Sequence, residues 1–200
     1  MTGNQPLAHG MNGTSEHMAI VHATSMMQAL GIDLDSDETR NTPARFVRAM
    51  LELTAGASLD PGRHLQVTFP PPSGDPGMVL VPGIPFTSIC EHHMMPFNGT
   101  ATVAYLPAGR IVGLSKLARL VQEYAARPQV QEQLGDQVVA AITRRLDTRG
   151  AACILRATHS CMTLRGAKAA GALMVTSHLT GAFRDDAAAR SEFLSLATTG

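Results

Sequence analysis

The sequence predicts an α+β fold, an antiparallel sheet with a helix pair on one face, and three observations carry that prediction. Segments with apolar residues at helical spacing come in pairs, within 16–53 and within 115–150. Strand-like runs fall in two groups, 65–106 and 151–183, which is not the regular alternation of a parallel sheet. The 200 residues are 44% hydrophobic and 16% charged, enough to bury one core of their own.

The elements follow in order. Residues 1–14 are small and polar without period and read as a disordered tail; 15–200 read as one domain, with helices over 15–60 and the sheet core over 64–200. Ile20, Ala23, Met27 and Leu30 place a helix over 16–30, closed by Gly31. Thr42-Pro43 opens a second, Thr as cap and Pro in the first turn, with Arg45 and Arg48 on a shared face. Alternation of Leu65, Val67 and Phe69 predicts a strand, and 78–81, 86–90 and 100–106 read as further strands, with Asn98-Gly99 as a turn before the last. Ser115 is placed as the cap of a helix to 126, and Pro128 as the start of another that Gly150 closes. Residues 151–158, 161–165 and 173–183 read as strands, and 190–196 as a short last helix.

Sixteen basic and sixteen acidic residues cancel, so bulk charge points to neither a nucleic-acid nor a membrane partner. No apolar run suits a bilayer span and the N-terminal residues do not read as a signal peptide, so a cytoplasmic location is expected. Three Cys there should remain thiols, free for metal binding or burial.

Cys90-Glu91-His92-His93 is the densest chemical cluster, and His159-Ser160-Cys161 supplies a second Cys/His pair. Thiolate with imidazole suits zinc. Each pair alone reads about as well as small core cysteines beside surface histidines, and Cys153, in an apolar run, reads as core. Cys90, His93 and Cys161 as ligands would leave a fourth position for water, which zinc activates near neutral pH, and His92 and His159 as proton carriers. Spacing alone does not choose which His binds. Lys116 and Arg119 share a face at a helix start that Ser115 opens, where an anion is favoured, although taken alone solvated charges on a capped helix are the better reading. Glu132, in a first turn, either compensates the helix dipole or, in a pocket, accepts the two parallel donors of a guanine edge.

Taken together, Ser88-Ile89-Cys90-Glu91-His92-His93, Gly113-Leu114-Ser115-Lys116, Arg127-Pro128-Gln129-Val130-Gln131-Glu132 and His159-Ser160-Cys161-Met162-Thr163-Leu164-Arg165-Gly166 resemble GTP cyclohydrolase I in order and spacing. So do Thr42-Pro43-Ala44-Arg45 and Arg190-Ser191-Glu192-Phe193-Leu194; the resemblance covers roughly 16–196. It implies a tunnelling fold assembled into a barrel-like ring, a homodecamer with sites between subunits, and conversion of GTP and water into 7,8-dihydroneopterin triphosphate and formate, the entry to folate and pterin biosynthesis. It implies zinc on Cys90, His93 and Cys161, and catalytic roles for His92 and His159. It implies guanine recognition by Gln131 and Glu132, and ribose and triphosphate contacts from Ser115, Lys116, Arg119 and Arg165, with Arg45 and Arg48 offered across a subunit boundary. Arg156 and Ala167 depart from the usual pattern beside these motifs. The alternatives are another tunnelling-fold pterin or deazapurine enzyme, which would carry a three-His zinc set or a nucleophilic Cys, and a non-catalytic zinc- and nucleotide-binding oligomer.

Overall fold

The computed structural model describes residues 13–71 and 76–198. Of the expected tail, only Gly13 and Thr14 lie within them, and they begin a helix. Two helices lead, α1 (Gly13–Ala29) and α2 (Thr42–Leu53), packed on each other. Gly31, at φ 76°, closes the first as expected, while the cap position of the second is Asn41 rather than Thr42. A 3-10 turn (Pro61–Leu65) and the short strand β1 (Thr68–Phe69) follow.

β2 (Val79–Cys90) and β3 (Pro96–Pro107) are long antiparallel partners. β4 (Ile111–Val112) pairs with β1; then come α3 (Leu114–Ala125), β5 (Pro128–Gln129), α4 (Gln131–Arg145) and β6 (Thr148–His159). α5 (Ser160–Thr163), β7 (Met174–Leu179), α6 (Ala182–Asp185) and α7 (Ala187–Thr198) complete the chain. The sheet order is β5-β2-β3-β6-β7, antiparallel throughout except for β5 beside β2.

The helix pair α3 and α4 covers one face, as the sequence predicts. Leu117, Leu120, Val121, Leu134, Val138 and Ile142 bury against Phe86, Val103, Tyr105, Cys153 and Leu155. Each such side chain contributes about 1.5–3 kcal/mol on leaving water. Ala104, Ala152 and Ile154 point the other way, onto Phe183, Phe193 and Ala197 of the last helices. Both faces of β3 and β6 are thus covered, which is why 150–155 reads as an unbroken apolar run. Among the described residues no helix is long and apolar enough to cross a membrane.

Several sequence expectations are corrected. Leu65 ends the 3-10 turn, which Asp60 opens by accepting from the Gly62 amide at 2.9 Å; Val67 and Phe69 are exposed, so their alternation marks no buried strand face. The strands 78–81 and 86–90 are one strand with an irregularity between Val81 and Ile84. Asn98-Gly99 is no turn but the middle of a strand, between Phe86 and Thr87 on one side and Ala157 and Thr158 on the other. Glycine is required there because a Cβ would fall 1.9 Å from the Arg156 carbonyl. The reversal lies at 91–95, where Met94 takes φ 52°. Gly113, not Ser115, caps α3. Pro128 begins the strand beside Cys90, not a helix, which starts at Gln131 and stops at Arg145, before Gly150. Residues 161–165 are not a strand: the chain leaves the sheet after His159, turns through α5, and ties Ser160 Oγ back to the Pro96 carbonyl. The strand 173–183 stops at Leu179, and the last helix is longer than 190–196.

Candidate metal centre and active site

Strand register assembles the site at one end of the sheet. Ile89 faces Pro96, and Phe97 faces His159, so the end of β2, the start of β3 and the end of β6 lie side by side. The reversal after Cys90 is held by the Met94 amide on the Cys90 carbonyl (2.8 Å) and the Cys90 amide on the Met95 carbonyl (2.8 Å), bringing His93 back over the thiol. Cys90 Sγ lies 3.7 Å from His93 Nδ1 and 4.0 Å from Cys161 Sγ. The three ligand atoms lie within 4.8 Å of one another and could hold a metal ion. Cys90 is buried, Cys161 half-buried and His93 exposed, leaving an open side.

The chemistry of this donor set asks for a cation. Burial and the second sulfur beside it push the Cys161 thiol up, and the Arg165 guanidinium pulls it down. A divalent ion relieves the same opposition by holding both sulfurs as thiolates. Cys153, by contrast, is sealed in the core with its thiol pushed up to about 12, as its apolar context predicts.

His159 stands beside this cluster. Its ring stacks on Phe97, centroids 4.3 Å apart and planes 7° from parallel. Its Nε2 lies 2.9 Å from Gln131 Oε1. The Gln131 amide nitrogen donates to the carbonyls of Leu155 and Met174 and to Thr176 Oγ1, each at 3.2 Å. Carbonyls only accept, so the amide orientation is determined, Oε1 must accept from His159, and Nε2 carries the hydrogen. Nδ1 is the nitrogen left to exchange a proton. Burial lowers the His159 pKa, and the Glu132 carboxylate raises it.

Gln131 itself is fully buried, and its side chain is spent on protein groups. The Gln131 side chain thus orients His159, while Glu132, next along α4, is exposed. His92 is exposed, edge-on to His93 at 6.3 Å, with Nε2 3.9 Å from Glu91 Oε1. Arg165 is exposed just beyond α5.

Ser115 and Lys116 are elsewhere. The Val112 amide, just before α3, donates to the Tyr105 hydroxyl, and Tyr105 pairs with Val79 at the start of β2. Cys90 is at the opposite end of that strand, roughly 35 Å away at ~3.3 Å per residue. Arg119, on the same helix, lines a separate cleft of about 320 Å³ with His64 and Glu123. Arg45 and Arg48 lie exposed on α2, where Arg48 Nε is 3.5 Å from Glu16 Oε1. One chain thus unites Cys90, His92, His93, Gln131, Glu132, His159, Cys161 and Arg165, and leaves Ser115, Lys116 and Arg119 apart.

A family model described as GTP cyclohydrolase I matches residues 19–198. The chain belongs to the GTP cyclohydrolase I family. Relatives named GTP cyclohydrolase 1 include the one from Rhodopirellula baltica, 48% identical over 171 residues, covering 86% of this chain and 74% of that one. Those from Mycolicibacterium vanbaalenii and Carboxydothermus hydrogenoformans are 46% and 44% identical, each over 86% of this chain and 85% and 88% of theirs. A solved structure of the archaeosine synthase QueF-Like in the apo form overlays with TM-score 0.45 and 14% identity, over 54% of this chain and 97% of that chain. The architecture of this GTP cyclohydrolase I family member is the tunnelling fold that the resemblance implies.

Two contributors to the site escaped the sequence. Phe97, the platform for His159, falls between the expected strands, just before the expected turn at Asn98-Gly99; its one signal is being among eight aromatic residues in the chain. Thr176 carries no signal at all, since its contact with Gln131 spans 45 positions. Gln131→Ala should leave metal binding intact but free the His159 ring, lowering kcat by about 100-fold, a fraction of what positioned acid–base catalysis contributes. Steady-state kinetics alongside a metal assay check this.

Proposed function

We propose that this chain converts GTP and water into 7,8-dihydroneopterin triphosphate and formate, with zinc held by Cys90, His93 and Cys161. The observation that carries the reading is the oriented His159, with Glu132 acting on it, beside a three-ligand cluster with an open side. A closed structural zinc site needs four protein ligands; three leave room for catalysis. When bound, zinc supplies Lewis acidity and activates water near neutral pH.

The remaining work falls to the chain. Glu132 accepts the N1–H and exocyclic amine of guanine, a pair of donors that adenine lacks. His159, its Nε2 engaged by Gln131, delivers a proton at N7 through Nδ1, so that the imidazole ring opens at C8. His92, exposed to solvent, serves proton transfer as the ribose rearranges and the new ring closes. Arg165 holds the triphosphate from the same chain.

Ser115, Lys116 and Arg119 reach the same substrate only from another copy, which supports a homo-oligomer with sites between subunits. Among the described residues β7 is an open edge, and β2 is paired on its outer side only at Ile89 and Cys90. Two unlike open edges invite head-to-tail sheet continuation, which closes into rings. The family resemblance supports a decamer with Arg45 and Arg48 crossing a boundary, acting in folate or pterin synthesis, and a cytoplasmic location remains our reading of the sequence.

The test incubates zinc-loaded protein with GTP and, separately, ATP, following formate and the fluorescent oxidised pterin. Both products are expected from GTP alone, lost on chelation and restored by zinc. Formate from ATP would overturn the role of Glu132; zinc binding without formate would favour a non-catalytic oligomer.

A further inference from the structure

His178 is a second histidine largely shielded from solvent, and nothing in the site described above uses it. It sits on β7 with its side chain 10% exposed. Its Nδ1 lies 2.7 Å from Asp136 Oδ1. A carboxylate accepts, so Nδ1 carries the hydrogen, and Nε2 is a buried atom with no hydrogen-bond partner. The ring lies against α4 at Gly135, where a Cβ would fall 2.1 Å from His178 Cδ2 and 2.4 Å from Nε2. Glycine at 135 is thus a cradle shaped to this ring, in a helix interior where glycine costs about 1 kcal/mol relative to alanine.

The contact is one step of a short ladder. Gln131 meets Thr176, and Gly135, one turn further along α4, meets His178, two residues further along β7. Four helical residues rise about 6.0 Å and two strand residues about 6.6 Å, so the two steps stay nearly in phase. The first rung holds the amide that orients His159, and the next residue is Glu132. Whatever sets the height and slide of α4 on β7 also sets where these groups stand.

We propose that His178 is a positioning residue: its ring, cradled by Gly135 and tied by Asp136, seats the first turn of α4 and so places Gln131 against His159 and Glu132 at the substrate. The assignment deepens the cyclohydrolase reading and rests on it for its kinetic consequence. The bare Nε2 fits a group kept for its shape and one anchored nitrogen rather than for a full set of hydrogen bonds.

The experiment is a cycle of Gly135→Ala, His178→Ala and the double variant, each measured for zinc content, melting temperature, kcat and KM for GTP. Gly135→Ala pushes the helix off the ring and is expected to lower kcat about 100-fold, the scale of an ångström of misplacement, with zinc content unchanged. His178→Ala shows a smaller loss in the same direction. The double variant, where the added methyl occupies space the ring vacates, recovers most of kcat. Wild-type kcat and KM in Gly135→Ala, or losses that follow melting temperature in all three variants without recovery, overturn the proposal. Should the wild-type protein fail to turn over GTP, the cyclohydrolase reading falls, but crystal structures of wild type and His178→Ala or Gly135→Ala still decide this one. A Gln131 Oε1–His159 Nε2 separation lengthened from 2.9 Å supports it, and an unchanged one overturns it.

Discussion

Cys161→Ser is expected to lose zinc and turnover together. The serine hydroxyl sits on a shorter bond and is not deprotonated near neutral pH, so the cluster falls to one thiolate and one imidazole. Residues that merely support metal ligands cost about 10–100-fold in metal affinity or activity, and loss of a ligand should exceed that, leaving turnover below ~1%. The fold should survive, because Cys161 is half-buried in a four-residue turn at the sheet's end, while the core lies between the sheet and its helices. Metal analysis after dialysis, formate release and a thermal melt on one preparation check the three parts. Full zinc with full rate would remove Cys161 from the ligand set.

Glu132→Gln is expected to have the second large effect, on a different quantity. It leaves metal binding alone and replaces a two-oxygen acceptor by a group that presents one acceptor and one donor. Against the two donors of a guanine edge, that places donor against donor. Sites built to pair a substrate's polar groups lose roughly 10,000-fold when the pairing fails, and kcat/KM for GTP should fall on that scale. The same substitution removes the charge that raises the His159 pKa, leaving burial, which lowers it, unopposed. The limb of the pH–rate profile belonging to His159 should therefore move to lower pH. An unshifted profile with intact kcat/KM would detach Glu132 from both roles.

The sign for stability follows from the same group. Because the folded His159 pKa lies below its unfolded value, the unfolded chain binds more protons in the window between the two. The metal-free protein should thus keep this contribution above the unfolded pKa and lose it as pH falls through the folded one. Removing the Glu132 charge enlarges the effect.

Much of this site was legible in the sequence because its chemistry is local. Cys90 and His93, three apart across a reversal, and His159 and Cys161, two apart at a strand end, are paired by the chain itself, and few roles other than metal binding and proton transfer use those types together. The helix pair and the main strands were legible for the same reason: a period of 3.6 or 2 is written in consecutive residues. The errors fell where a residue type has two uses. Asn98-Gly99 reads as a turn, but Gly99 answers a close backbone approach from β6, 57 positions away. Pro128 reads as a helix start, but it opens a strand beside Ile89.

What only the tertiary structure decided is non-local. The register that puts Phe97 opposite His159 makes the histidine's platform, and no spacing in the sequence encodes it. The carbonyls at 155 and 174 fix the Gln131 amide so that its oxygen supports His159, and neither carbonyl is near Gln131 in sequence. Ser115 and Lys116 match the family motif as well as Cys90 does, yet the long strand β2 holds them a sheet's length from the cysteine. Sequence by itself determined which chemistry the chain can perform, since side-chain type sets pKa, softness and donor count. Which groups meet within the chain, and which stand apart, was decided by strand pairing and packing, because those contacts depend on where distant segments come to rest.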